Sequence, residues 1–141
     1  GPRALMRSMQ TLELLDAERA AVAMRAALGE TPAVLCVADA HGDPLLVVRL
    51  SGAKASSVTI ALNKAYTAAR ERVRTYDIGQ RYKNAGEAFD LAYYGDPCYV
   101  GWGGGVPVRI GGEVVGSVGV SGLPELEDQR IAEIGAAAIT G

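Results

Sequence analysis

The sequence predicts an α+β domain in which helices pack on one antiparallel sheet. Three observations carry that prediction. The length of 141 residues fits a single domain, at roughly 100–200 residues per domain. Short β-rich runs follow one another across tight turns at 33–50 and again at 106–120, so the strands pair as hairpins rather than through strand–helix–strand crossovers. Helical periodicity of three and four residues brackets these runs at both ends of the chain.

The elements follow in order. Leu14, Ala17, Ala21, Met24 and Leu28 fall on one helical face, and Gly29 follows as a C-terminal stop. Ala33–Ala38 is a short apolar run that reads as a buried strand. Asp39-Ala40-His41-Gly42-Asp43-Pro44 is dense in turn formers, and Leu45–Leu50 is the antiparallel partner. After the break at Ser51-Gly52-Ala53, Ser56 or Ser57 is expected to cap a second helix, with Val58, Leu62, Ala65 and Ala69 facing inward. Residues 75–105 are the least regular. A short helix is expected around Ala85–Ala92, then a turn at Gly95-Asp96-Pro97 and a permissive loop at Gly103-Gly104-Gly105. Gly111-Gly112, between Val106–Ile110 and Glu113–Val120, signals a hairpin whose turn needs positive φ at both positions. Pro124 opens the last helix, with Ile131, Ile134 and Ala138 as its buried stripe.

Composition excludes several classes. With 49% apolar and 21% charged residues, the chain has the apolar content that a disordered segment lacks. No run of about 18 uncharged apolar residues exists to cross a membrane. The net charge is −2. The densest basic stretch (Arg70, Arg72, Arg74, Arg81 and Lys83) is interspersed with Glu71, Asp77, Glu87 and Asp90. That pattern is a solvated surface rather than a nucleic-acid footprint. Cys36 and Cys98 match neither a disulfide framework nor a metal motif. Free thiols and the absence of a secretory apolar segment point to a cytoplasmic protein. Gly1-Pro2 resembles a protease scar, so residues 1–10 are read as tag remnant and flexible N-terminus and residues 11–141 as the domain.

Several stretches resemble one family. They are Asp39-Ala40-His41-Gly42, Leu50-Ser51-Gly52-Ala53, Lys64-Ala65-Tyr66-Thr67-Ala68, the glycine loop through Pro107, and Gly112-Glu113-Val114-Val115-Gly116-Ser117-Val118-Gly119-Val120-Ser121-Gly122, with Asp128 and Ala132 downstream. In this order they resemble the GlcG/HbpS-like proteins, often described as a haem-degrading domain, which include the C-terminal domain of PduO-type cobalamin adenosyltransferases. The resemblance spans about residues 12 to 139. It implies a profilin-like α+β fold, assembly into homo-oligomers, and binding of haem or another small molecule in some members.

The residues themselves offer several candidate sites. His41 is the sole histidine, and so the sole imidazole available to haem iron; its place in a turn also needs no ligand to explain it. Tyr66, Tyr82, Tyr93, Tyr94, Tyr99 and the two cysteines carry donors of types known to ligate haem, with nothing in their spacing to favour one. Gly101-Trp102-Gly103-Gly104-Gly105 lacks the phosphate-loop pattern and leads into a strand. Its glycines suit either a nest of N–H groups for an anion or a tight turn into that strand. Lys64, among small residues on the second helix, either snorkels to solvent or turns inward to hold a carboxylate. Ser121 ends a strand where a loop can meet a ligand. One histidine supports no Ser-His-Asp set, and no clustered donors indicate a metal.

Six of the eight aromatic residues crowd into Tyr82–Trp102. Phe89 and Tyr93 would share a helical face there, and such a cluster builds either an oligomer interface or a ligand pocket.

Two functions follow. The first is a homo-oligomeric binding module for an aromatic or carboxylated small molecule, haem included, with Lys64, Tyr66, Trp102, Gly103, Gly104, Gly105 and Ser121 at the site and no resident metal. The second is an enzyme without a redox cofactor, with Lys64, Tyr66, Glu87 or Asp128 moving protons. A domain with a vestigial pocket, acting through protein contacts, is a third.

Overall fold

The computed structural model describes residues 4–84 and 90–140. In chain order it contains α1 (Leu14–Leu28), β1 (Val34–Asp39), β2 (Pro44–Arg49), α2 (Ser56–Glu71), α3 (Thr75–Asn84), a 3₁₀ turn (Leu91–Tyr94), β3 (Gly105–Ile110), β4 (Glu113–Ser121) and α4 (Glu125–Thr140). The four strands form one antiparallel sheet in the order β2-β1-β4-β3, so the α+β expectation holds. No helix among the described residues is long and apolar enough to cross a membrane.

Alternation along β1 sorts the core into two layers, because successive side chains of a strand point to opposite faces. Leu35 and Val37 pack with Ala17, Ala20 and Met24 of α1 and with Ile131 and Ala132 of α4. Val34, Cys36 and Ala38 face Ala61 and Ala65 of α2. The sheet is therefore covered by α1 and α4 on one side and by α2 on the other. Burial pushes the Cys36 thiol up to about 12, which makes it an inert core side chain. Cys98 is exposed, and both thiols are free.

The α2 layer is unusually thin. A Cβ at Gly119 would lie 2.3 Å from the Ala61 carbonyl oxygen, and one at Gly105 would lie 2.4 Å from the Lys64 carbonyl oxygen. Backbone approaches backbone at both places, which explains the alanine-rich inner face of the helix. That face is Ala61, Lys64, Ala65 and Ala68. Val58 and Leu62, expected inward, are only half-buried, because a helix this close to the sheet has no room for large side chains at its centre line.

Other expectations are corrected in detail. Leu14 is exposed, and α1 instead buries Ala20 beside Ala17, Ala21, Met24 and Leu28. Neither Ser56 nor Ser57 caps α2. The preceding residue is Ala55, already in helical conformation, and Ser57 N–H donates to the Lys54 carbonyl, so no hydroxyl is needed as a cap. A helix lies at Thr75–Asn84, where no regular structure was expected. Of the helix expected around Ala85–Ala92, residues 85–89 lie outside the described residues, and Leu91 opens the 3₁₀ turn. The Gly111-Gly112 hairpin forms as predicted, with φ of +59° and +83°.

Candidate functional site

One buried ion pair forms the floor of a polar cleft at one end of the sheet. Lys64, central in α2 and 2% exposed, turns toward β4 and α4 rather than snorkelling to solvent. Its Nζ donates at 2.9 Å to Asp128 Oδ2 and at 2.9 Å to the Val120 carbonyl. Asp128, on the first turn of α4, accepts the Leu123 N–H at its other oxygen, 3.1 Å away. Lys64 thus holds a carboxylate, as one sequence reading required, but the carboxylate belongs to the chain itself. Burial pushes the Asp128 carboxyl above the usual aspartate range, against the opposite pull of the Lys64 ammonium and the Leu123 N–H.

Above this pair lies an open cleft of about 550 Å³, walled by the start of α2, the β4–α4 connection and Trp102. Ser57 (6% exposed) and Ser121 (4% exposed) line it. Neither hydroxyl has a hydrogen-bond partner among the described residues. Lys54 and Lys83 stand on the rim. Neither forms an ion pair among the described residues. Glu125 adds one carboxylate, whose Oε2 accepts the Gly103 N–H at 2.9 Å.

The glycine loop serves as the turn into β3 rather than as an anion nest. Gly103 N–H is committed to Glu125, and Gly105 N–H donates to Thr75 Oγ1 at 2.9 Å. Gly104, at φ +127°, would place a Cβ 2.9 Å from Lys64 Nζ and 2.5 Å from the Val120 carbonyl oxygen. The loop needs glycine there to let the buried ammonium through. Thr75 Oγ1 in turn donates to the Trp102 carbonyl at 2.6 Å, which holds the tryptophan backbone at the cleft wall.

Of the residues singled out from sequence, the structure brings Lys64, Asp128, Ser121 and Trp102 to this cleft. Tyr66 is not there. Two residues beyond Lys64, about 200° around the helix, its hydroxyl bonds Asp96 Oδ2 at 2.5 Å under the Arg70 guanidinium. That bond from Tyr66 and the Cys98 N–H hold the Asp96 carboxyl below the ordinary range. His41 lies in the exposed β1–β2 turn. Ser121 pairs with Val34 at the other end of β1, a separation of about 16 Å along the strand. Glu87 and Phe89 lie outside the described residues. Tyr93 is largely exposed.

Lys54, Ser57 and Lys83 were not picked out as site residues. In the sequence Ser57 reads as a helix cap, and Lys54 and Lys83 carry no signal beyond surface charge. Among the described residues no group of three or more His, Cys, Asp or Glu side chains is placed to hold a metal ion.

The four-stranded sheet, its two helical layers and the small polar cleft at one sheet end define a single-domain α+β fold built around a ligand-sized opening. The chain belongs to the haem-degrading HbpS-like protein family, whose sequence model matches residues 12–137. It is 37% identical over 125 residues to an uncharacterized 15.0 kDa protein in the dhaT-dhaS intergenic region of Citrobacter freundii, covering 87% of this chain and 88% of that one. Among solved structures it is similar to Klebsiella pneumoniae protein ORFY, with a TM-score of 0.90, 29% identity and coverage of 100% and 99% of the two chains. It is also similar to a PduOC:heme complex, with a TM-score of 0.82, 25% identity and coverage of 91% and 94%. The family read from the ordered motifs is thereby confirmed.

The buried pair yields a direct expectation. Lys64→Met strips Asp128 of its counter-charge and should cost about 3–5 kcal/mol of stability. Adding Asp128→Asn, which keeps an acceptor for the Leu123 N–H, should recover most of that loss. Urea unfolding of the three proteins checks it; a single variant as stable as the native chain would contradict the pair's role.

Proposed function

We propose that this domain binds a small organic carboxylate in the cleft above the Lys64–Asp128 pair. The observation that carries the reading is that Ser57 and Ser121, both largely buried residues, line one opening with hydroxyls that bond no other group among the described residues. Hydroxyls that face an opening without a protein partner are available to hydrogen-bond a ligand oxygen there. Lys54 and the N-terminal end of α2 supply positive potential beside those hydroxyls. Because Lys64 is already neutralised by Asp128, the charge that attracts the ligand comes from the rim, and Lys64 contributes the remaining proton of its ammonium. Calorimetric titration with a panel of small mono- and dicarboxylates tests this reading. Ser121→Ala should weaken the best binder roughly tenfold, the usual worth of a hydrogen bond to a charged group. Unchanged affinity in that variant would remove the site assignment.

The similarity to a PduOC:heme complex favours a second reading, haem binding, and the chemistry of the donors decides where. The cleft offers no imidazole, thiolate or thioether among its described residues, so it does not suit iron ligation. A hollow of about 340 Å³ at the opposite sheet end holds His41 and Met9, which would serve as iron donors, with Arg70 and Arg72 as the charges that would attract the propionates. Both donors are largely solvent-exposed, so binding there should be weak. A Soret titration should saturate only with excess haem and lose its signal in His41→Ala. A stoichiometric spectrum unchanged in that variant would refute the assignment.

Self-association completes the proposal, in keeping with the family resemblance. Leu15 and Val22, seven residues apart on one face of α1, expose apolar surface that a partner copy would cover. Light scattering should return a multiple of 14.7 kDa; a single 14.7 kDa species at micromolar concentration would exclude it.

A further inference from the structure

We propose that the carboxylate held in the cleft carries an aromatic body, and that this body lies in a separate apolar recess on the far side of Trp102. The inference rests on the carboxylate reading above and adds the substrate class. The recess has a volume of about 410 Å³ and is lined by Tyr82, Leu91, Tyr99, Val100 and Gly101. Trp102 and Lys83 line both the recess and the polar cleft, so the two openings share a wall. The Tyr99 hydroxyl is committed to Glu71 Oε2 at 2.5 Å, which leaves its ring as the surface offered to the recess.

Trp102 is 60% exposed, an unusual state for the largest apolar side chain unless something covers it. Its backbone is nevertheless fixed. The Trp102 carbonyl accepts from buried Thr75. The Gly101 backbone lies so close to α3 that a Cβ at Gly79 would fall 1.7 Å from the Gly101 oxygen. An indole carried on a fixed backbone between a hydroxyl-lined cleft and an aromatic recess suits a flat molecule with one anionic end. An aliphatic acid would leave the recess empty, whereas a neutral aromatic would leave Ser57, Ser121 and Lys54 unmatched.

Trp102 is the sole tryptophan, so its emission reports on this wall without labelling. Propionate, 3-phenylpropionate and 3-phenylpropanol supply the head alone, both halves, and the body with a neutral head. Followed by Trp102 emission and calorimetry, 3-phenylpropionate should bind roughly tenfold or more tighter than either of the others. Leu91→Glu places a negative charge in the recess. It should abolish the preference over propionate, and Leu91→Gln, the uncharged second variant, should reduce that preference. Equal binding of the two acids, or a preference that survives in both Leu91 variants, would overturn the recess and leave the carboxylate reading standing. Equal binding of 3-phenylpropanol and 3-phenylpropionate, or no binding of either acid, would overturn both.

Discussion

The buried ion pair between Lys64 and Asp128 is the constraint on which this structure turns. One ammonium ties three elements that are distant in sequence: α2 through its own backbone, β4 through the Val120 carbonyl, and α4 through the carboxylate. Removing two charges from water is expensive, and a pair of this kind gains little over apolar packing. Its value lies in specificity, because leaving either partner alone in the interior would cost far more. The register of α2 against the sheet and the start of α4 are thereby set together, and the cleft is the space left above them.

The same pair explains where glycine is indispensable. For the lysine to reach Asp128, the chain entering β3 must pass within contact of the ammonium, and Gly104 does so at a φ that other residues avoid. On the other flank, Gly119 lets the α2 backbone settle onto β4. Small residues on the helix and glycines on the strands are two halves of one close approach. Bulk is excluded from the centre of this layer and displaced to its margin, where Trp102 and the tyrosines gather.

Polar groups follow a similar economy. The loop N–H groups of Gly103 and Gly105 are taken by Glu125 and Thr75, so the loop is braced rather than receptive. In the cleft, a pair of serine hydroxyls at the start of α2 and the end of β4 has no partner among the described residues, with lysines around them. The polar groups open to the cleft are therefore side chains at element ends, on a floor neutralised from within. Tyr66 and His41, though chemically capable, are held at the other end or on the other face of the same elements.

Much of the fold was legible in the chain. Alternating and continuous β-rich runs, the Gly111-Gly112 turn and the ordered family motifs specify the antiparallel sheet and its helices, because period and turn chemistry are local properties. Lys64 and Asp128 stand among the ordered motifs, Ser121 at a strand end and Trp102 beside the glycine loop, so all four can be named as site candidates from the chain alone. The helix at Thr75–Asn84 was not, since it holds one large aliphatic residue, Ile78, and a glycine at position 79 that only the neighbouring Gly101 backbone explains. Nor could the sequence separate Tyr66 from Lys64 or join Ser57 to Ser121. Those assignments depend on which face of α2 meets the sheet and on which residues end up paired with one another. Only the tertiary structure decides that, because a lysine's partner 64 positions away is chosen by packing in three dimensions and leaves no local trace.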